Sequence, residues 1–171
     1  RSIYKLEEMD QRWKILKKGQ WVLDLGCSPG SWLQYAAEKV GPQGKAIGYD
    51  LKPINVTLPP HAEARIGDVY ELEIEKLEPF DVVLSDMAPN TTGDRKTDAW
   101  RSASLAENAM LIAEQILKPG GHFVTKILEG GDVPELIKKL RSSYRKATQI
   151  RPKATRKEST EIFLVGLGKL N

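Results

Sequence analysis

The chain has 171 residues, 40% of them hydrophobic, which is enough apolar material for one compact domain over residues 1–171. Its single cysteine excludes an internal disulfide and suits a reducing compartment, and no apolar stretch reaches the length of a signal core or a membrane span. We therefore expect a monomeric cytoplasmic protein that does not work at a membrane.

Basic residues are concentrated toward the carboxyl end of the chain. The net charge is only +3, but the segment from Lys138 to Lys157 holds nine Lys or Arg residues and neither Asp nor Glu. A polyanion such as RNA or DNA is the natural partner of such a block. A solvated helix face followed by a charged loop would give the same composition, so the block alone does not decide between the two interpretations.

Helical and strand patterns alternate along the chain, which is typical of a parallel sheet with helices on both faces. The two carboxyl-terminal strands have no long helix between them, so we expect them to form an antiparallel hairpin at a sheet edge. Seven strands are predicted, at Trp21–Leu25, Ala46–Asp50, Ala64–Ile66, Phe80–Ser85, His122–Ile127, Ala147–Arg151 and Glu161–Leu167.

Three helices are predicted between these strands. The first runs from Ser31 to Val40, and the second has an apolar face from Leu105 to Leu117 and a stop at Lys118–Gly121. The third begins after Asp132, which is expected to cap it together with Glu135. Its apolar stripe is predicted to comprise Leu136, Ile137, Leu140 and Tyr144.

The turn between the first strand and the first helix predicts a ligand site. Gly26 and Gly30 permit positive φ angles and a close approach of the backbone, while Asp24 is suited to anchor the turn or to meet a cation. Asp50 ends the next strand, twenty residues after Gly30. At this spacing along the sequence, open parallel sheets present a carboxylate to ribose hydroxyls. The glycine spacing fits neither dinucleotides nor nucleoside triphosphates, which favours an adenosine ligand without a pyrophosphate. An ordinary strand-turn-helix corner is the alternative interpretation.

Polar residues also follow or interrupt later strands. Asp68 is placed to accept a hydrogen bond from an adenine amino group, and Asp86 comes directly after the apolar fourth strand. Lys126 interrupts the apolar fifth strand, where a lysine is costly unless it is paired or functional. A lysine whose ammonium extends to the surface is the structural alternative.

Three motifs together resemble the FtsJ (RrmJ) family of RNA ribose 2′-O-methyltransferases. They are Asp-Leu-Gly-Cys-Ser-Pro-Gly-Ser-Trp at residues 24–32, Ser-Asp-Met-Ala-Pro-Asn at 85–90 and Val-Thr-Lys-Ile at 124–127, preceded by Arg-Ser-Ile-Tyr-Lys-Leu-Glu at 1–7. The resemblance extends over essentially the whole chain. It implies a single-domain α/β fold of the Rossmann-like class I methyltransferase type, with a seven-stranded, mostly parallel sheet.

The resemblance also implies the site residues. The family's Lys-Asp-Lys-Glu tetrad corresponds to Lys5, Asp86, Lys126 and Glu161. Its contacts with S-adenosylmethionine correspond to Gly30, Trp32, Asp50, Asp68 and Asp86, to which the turn geometry adds Gly26. Either Lys126 removes the hydroxyl proton, or Lys126 orients the hydroxyl while Asp86 takes the proton.

The implied reaction is methyl transfer to a ribose 2′-OH, with a uridine of large-subunit ribosomal RNA as the first expected substrate, free or within the large ribosomal subunit. Transfer RNA is the second. Less favoured alternatives are a methyltransferase of the same fold that acts on a small molecule or a protein, and an RNA-binding module without catalysis. No metal is expected, because His61 and His122 have no ligand partners at useful spacing.

For such a substrate, the basic block and the amino-terminal residues Arg1, Arg12 and Lys14 are expected to form one face that guides RNA phosphates past Lys126. Arg151 and Lys153 are the predicted phosphate contacts. Trp100, beside other basic residues, is either a platform for an unpaired base or a residue that packs on the loop above the sheet.

Overall fold

In the computed structural model, which describes residues 2–171, seven strands form one mixed sheet. The strands are β1 (Trp21–Leu25), β2 (Lys45–Asp50), β3 (Ala62–Ile66), β4 (Phe80–Ser85), β5 (Leu117–Leu128), β6 (Tyr144–Ile150) and β7 (Glu161–Lys169). Their spatial order is β3-β2-β1-β4-β5-β7-β6. β1 to β5 are parallel, whereas β7 is antiparallel to both β5 and β6. The predicted fold class, including the antiparallel carboxyl-terminal hairpin, is confirmed.

The sheet is covered by helices on both faces. The helices are α1 (Ser2–Trp13), α2 (Ser31–Val40), α3 (Arg95–Ile116) and α4 (Val133–Ser143), with short 3₁₀ turns at Val69–Glu71 and Ile74–Lys76. α1 and α2 pack on the face that presents Val22, Val82 and Phe163, and α3 and α4 pack on the face that presents Leu23, Val83 and Phe123. Alternate residues of each strand thus enter two separate apolar layers.

The strand order reverses between β1 and β4, which are neighbours although β2 and β3 lie between them in the chain. At such a point the connections after the two strands leave in opposite directions and open a crevice at the carboxyl ends of the strands. We call this the catalytic edge of the sheet. The turn after β1 and the segment after β4 both lie there.

Several predicted details of the third helix and its neighbours are wrong. Tyr144 does not belong to the apolar stripe of α4, because the helix ends at Ser143 and Tyr144 begins β6, where it stacks on Phe123 with ring centroids 6.3 Å apart. The Asp132 side chain makes no capping hydrogen bond; only its carbonyl oxygen accepts, from Leu136 N at 3.1 Å. The segment after α3 stops the helix as predicted, but it already belongs to β5.

Helix α1 was not predicted. It packs on the sheet through Leu6 and Met9, and its far end is fixed by the buried Asp10. The Asp10 carboxylate accepts hydrogen bonds from Leu16 N at 2.8 Å and from Tyr35 Oη at 3.0 Å.

Among residues 2–171, no helix combines the length and the hydropathy that crossing a membrane would require.

Candidate active site

The turn after β1 is built around two glycines. Gly26 and Cys27 donate their N–H groups to the carbonyl oxygen of Tyr49, at 2.8 and 3.1 Å, which draws the turn toward the end of β2. Gly26 has φ +74°, and a Cβ there would overlap the side chain of Met87. Gly30 has φ +126°, and a Cβ would lie 2.6 Å from Val56 Cγ2. Both positions therefore require glycine.

A cavity of about 720 Å³ opens at the catalytic edge, beside this turn. Its lining includes Gly26 and the three carboxylates predicted to face a ligand, those of Asp50, Asp68 and Asp86. The Asp50 carboxylate is fixed by Ser28 N and Lys52 N, both at 2.9 Å, and Asp68 Oδ1 accepts from Tyr70 N at 2.9 Å. Backbone donors thus hold two of the acids in place, with the cavity between them.

Two other predicted ligand residues do not line this cavity. Gly30 directly precedes α2, and Trp32 is only 3% exposed. The indole of Trp32 donates from Nε1 to Ser2 O at 3.0 Å and stacks on Phe163, with ring centroids 5.7 Å apart. Its side chain therefore contacts α1 and β7.

The four residues of the expected tetrad form one connected cluster. Lys5 Nζ donates to Glu161 Oε1 at 2.9 Å, and Lys126 Nζ lies 3.2 Å from Asp86 Oδ1 and 4.0 Å from Glu161 Oε2. The four side chains are between 12% and 25% exposed. Two lysines thus alternate with two carboxylates at the mouth of the cavity that Asp86 also lines.

Strand register explains why these residues meet. β4 and β5 pair Ser85 with Thr125, which places the next residues of each strand, Asp86 and Lys126, side by side. β5 and β7 pair Leu128 with Glu161, two residues beyond Lys126 and on the same face of the sheet. Helix α1 brings Lys5 onto that face from above.

The two carboxylates of the cluster have opposite electrostatic surroundings. Burial raises the pKa of Asp86 above its ordinary value, and the charge of Lys126 only partly offsets this. Lys126 Nζ and Asp86 Oδ1 are close enough for an ion pair, but their relative orientation does not fit a hydrogen bond. Asp86 Oδ1 therefore has no hydrogen-bond partner within residues 2–171. Burial also acts to raise the pKa of Glu161, but the hydrogen bond from Lys5 and the charges of Lys126, Lys5 and Arg151 outweigh it and lower the pKa. Asp86 is therefore the better proton acceptor.

Asp24 lies beneath the glycine turn and is fully buried. Neither carboxylate oxygen has a hydrogen-bond partner within residues 2–171, so Asp24 does not anchor the turn by a hydrogen bond, and the alternative, contact with a cation, stays a prediction. Burial, followed by the charges of Asp86 and Asp50, raises its pKa well above the ordinary value. Burial without a hydrogen-bond partner therefore favours the protonated form of this carboxyl.

The basic block is divided between two edges of the sheet. β6 ends at Ile150 beside Phe163, so residues 151–157 lie at the catalytic edge. Arg145 packs against Gly168, at the opposite end of β7. Arg12 lies one helical turn after Glu8, whose carboxylate accepts a hydrogen bond from Lys153 N in this loop at 2.8 Å. The prediction of one continuous basic face is therefore wrong for Arg145, and it stays a prediction for Arg12 and Lys14. Arg1 lies outside the described residues.

Arg151 has an internal role that the sequence did not reveal. Its guanidinium donates to the carbonyl oxygens of Arg156 at 2.8 Å, Lys157 at 3.3 Å and Glu161 at 3.4 Å. It therefore braces the loop between β6 and β7, and its role as a phosphate contact stays a prediction. Lys153 remains exposed, while its backbone N–H donates to Glu8 Oε1 at 2.8 Å.

Trp100 is 64% exposed on α3, so it does not pack on the loop above the sheet. It borders a groove between α3 and α4 that also contains Glu107, Asp132 and Glu135. Lys139 lines the same groove and pairs with Glu107 at 2.6 Å, and the role of Trp100 as a platform for an unpaired base stays a prediction.

Comparison with known proteins places the chain in a family. The model of the FtsJ-like methyltransferase family matches residues 1–169. The ribosomal RNA large subunit methyltransferase E of Desulfatibacillum aliphaticivorans is 51% identical over 173 residues, which cover 99% of this chain and 84% of that protein. The protein of the same description from Desulforapulum autotrophicum is 46% identical over 173 residues, with 99% and 85% coverage. A Plasmodium falciparum protein described as a ribosomal RNA methyltransferase has a crystal structure that is 28% identical, with a TM-score of 0.85 and coverage of 100% of this chain and 98% of that one. In agreement with its three motifs, the chain belongs to the FtsJ-like methyltransferase family.

Proposed function

We propose that residues 1–171 act as one methyltransferase domain that transfers a methyl group from S-adenosylmethionine to a ribose 2′-OH of large-subunit ribosomal RNA. The observation that carries this proposal is the position of Asp86. It lines the cavity and also lies 3.2 Å from Lys126 in the cluster of two lysines and two carboxylates. A bound methyl donor and a group that accepts a proton from the methyl acceptor are thereby neighbours.

The cavity has the features that an S-adenosyl group requires. Its volume of about 720 Å³ falls within the range of sites for cofactors and other small molecules. Asp50 is suited to accept hydrogen bonds from ribose hydroxyls, and Asp68 from an adenine amino group. Tyr70 and Leu51 are exposed at the lining and offer apolar surface to a base. When bound, S-adenosylmethionine supplies an electrophilic methyl group on a positively charged sulfur, a charge that the acidic lining favours.

The chain's own contribution to the reaction is to orient and deprotonate the ribose hydroxyl. Lys126 Nζ is placed to donate a hydrogen bond to the 2′ oxygen, because it reaches the cavity mouth next to Asp86. The Lys126–Asp86 pair, whose buried carboxylate has a raised pKa, is placed to take the hydroxyl proton when the methyl carbon would exchange its bond to the donor sulfur for one to the 2′ oxygen. The two groups are in contact, so the accepted proton belongs to the pair. Glu161 lies 4.0 Å from Lys126 on the other side, and Lys5 holds Glu161 there.

RNA is the substrate class that the surface near the cluster favours. The loop at residues 151–157 carries Lys153, Arg156 and Lys157, all exposed, within the same edge of the sheet as Lys126. Their charges suit RNA phosphates. The descriptions of the relatives support ribosomal RNA of the large subunit over transfer RNA.

Transfer of labelled methyl groups tests this proposal. Wild-type protein and labelled S-adenosylmethionine are incubated in three separate reactions, with large ribosomal subunits, with protein-free ribosomal RNA and with transfer RNA. We expect label in large-subunit ribosomal RNA, and at least a hundredfold less with Lys126→Ala. Label in transfer RNA alone would contradict the ribosomal substrate, and label in protein would contradict RNA methylation.

A further inference from the structure

We propose that the indole of Trp32 is a positioning residue that holds Lys5 against Glu161, and that its side chain acts on methyl transfer through this ion pair and not by touching the donor. This inference rests on the proposed function, because it assigns a residue to the same site. It also differs from the donor contact that the family resemblance implies for this position.

The side chain of Trp32 joins two elements. On one side, Nε1 donates to Ser2 O at 3.0 Å, three residues before Lys5 in the first turn of α1. On the other, the ring stacks on Phe163 of β7, with centroids 5.7 Å apart and planes inclined by 28°. Phe163 lies two residues after Glu161, on the same face of the strand. Trp32 therefore fixes the distance between the turn that carries Lys5 and the strand that begins at Glu161.

The ion pair spans the same two elements. Lys5 Nζ lies 2.9 Å from Glu161 Oε1, and Glu161 Oε2 lies 4.0 Å from Lys126 Nζ. Hydrogen bonds of Glu8 and Asp10 hold the later turns of α1. The first turn is held by Trp32 and by the contact of Ser2 Oγ with Ser31 Oγ at 3.3 Å. A looser first turn would let Lys5 withdraw from Glu161.

A direct contact between the indole and the donor does not fit the geometry. Trp32 is 3% exposed and is not part of the cavity lining. Its only N–H is already used by Ser2 O. The side chain is thus covered by α1 and β7, while the backbone at the start of α2 remains near the glycine turn.

The first test compares Trp32→Phe, which keeps a ring to stack on Phe163 but lacks the N–H, with the control Trp21→Phe. Trp21 packs edge-on against Phe80 with centroids 5.9 Å apart, at the opposite end of β1. The readout is the pKa of the Glu161 carboxyl, followed by carbon-13 NMR. Of the groups that face this carboxyl, Lys5, Lys126 and Arg151 lower its pKa, and Asp86 is its acidic neighbour. In Trp32→Phe, withdrawal of Lys5 should raise the pKa of Glu161. In Trp21→Phe, the pKa of Glu161 should be the same as in the wild type.

A second variant, Ser31→Ala, loosens the same turn without altering the apolar layer, and should raise the pKa of Glu161 by a smaller amount. An unchanged Glu161 pKa in both Trp32→Phe and Ser31→Ala would overturn the proposal. This readout requires no methyl transfer. Absence of transfer by the wild type would therefore contradict the proposed function and leave this test intact.

Single-turnover rates at saturating donor and RNA give the second test. We expect Trp32→Phe to be about tenfold slower, the effect of losing one partly buried hydrogen bond that holds the first turn of α1. Its affinity for S-adenosylmethionine, measured by calorimetry, should stay within about twofold of the wild type. Lys5→Ala and the double variant should have equal rates, because Trp32 acts through Lys5. Additive losses in this cycle, or weak donor binding with an unchanged rate, would overturn the assignment.

Discussion

Asp86 and Lys126 are 3.2 Å apart, and only the first of them lines the cavity. The two residues follow equivalent positions of neighbouring parallel strands, so the backbone fixes their separation. Asp86 therefore belongs both to the donor site and to the acceptor site, whereas Lys126 belongs to the acceptor site. This difference separates the effects of their substitutions.

Lys126→Ala should lower the single-turnover rate by on the order of 10²-fold or more, because it removes a positioned proton-transfer group. The affinity for S-adenosylmethionine, measured by calorimetry, should change little. Asp86→Asn should lower both the rate and the affinity. Retention of most of the rate by Lys126→Ala would contradict the assigned cluster.

Asp50→Ala should weaken binding of S-adenosylmethionine by roughly 1 to 3 kcal/mol, since ribose hydroxyls would lose their acceptor and the turn would lose its bonds from Ser28 N and Lys52 N. The matched control is Asp81→Ala. Asp81 likewise accepts from a backbone N–H, that of Trp21 at 2.8 Å, but at the opposite edge of the sheet. Calorimetry on the free protein separates them. Equal affinities of the two variants would mean that Asp50 does not face the donor.

Asp24→Asn should make the stability of the free protein less dependent on pH. Burial raises the pKa of Asp24 in the folded state, so its contribution to stability is fully present below the unfolded value of about 3.9 and is lost as pH rises through the folded value. As the pH rises, the difference in free energy of unfolding between the variant and the wild type should therefore grow in favour of the variant. The increase should be about 1.4 kcal/mol per pH unit until the pH reaches the pKa of Asp24 in the folded state. Urea unfolding at pH 5 and pH 7 measures this. The same gain at both pH values would mean that Asp24 titrates normally.

Reversal of charge in the loop at the catalytic edge should weaken RNA binding. Lys153→Glu with Arg156→Glu should lower affinity and flatten its salt dependence, by about 0.7 to 0.9 in log–log slope for each phosphate that is no longer neutralised. Arg141→Glu with Arg145→Glu makes the same charge change near the opposite edge and should have the smaller effect. Arg151 is left intact because it braces the loop. A larger loss of affinity from the second pair would move the RNA path to the other edge.

Much of the fold was predictable because its signals are local. β1, β4 and α2 have the predicted bounds, since an apolar run or a glycine turn marks each of their ends. Helix α1 escaped prediction because its buried face is narrow, and because Asp10 is buried only through partners that the sequence does not place beside it. Tyr144 fits the helical period of α4, but stacking on Phe123 stabilises it in β6.

The candidate site divides in the same way. Asp50, Asp68, Asp86 and Lys126 were found from their positions at strand ends or within a strand, because parallel strands bring such positions to one edge. The roles of Trp32 and Arg151 depend on what packs against them, namely α1 and the loop before β7. No local pattern encodes those contacts.

The most direct test of the reaction is the position of the methyl group in the product. RNA from large ribosomal subunits treated with wild-type protein and labelled S-adenosylmethionine is digested to nucleosides, and the labelled nucleoside is identified by mass spectrometry. The cluster around Lys126 predicts a 2′-O-methyl nucleoside, with the added mass on the ribose fragment. Added mass on the base fragment would contradict the account.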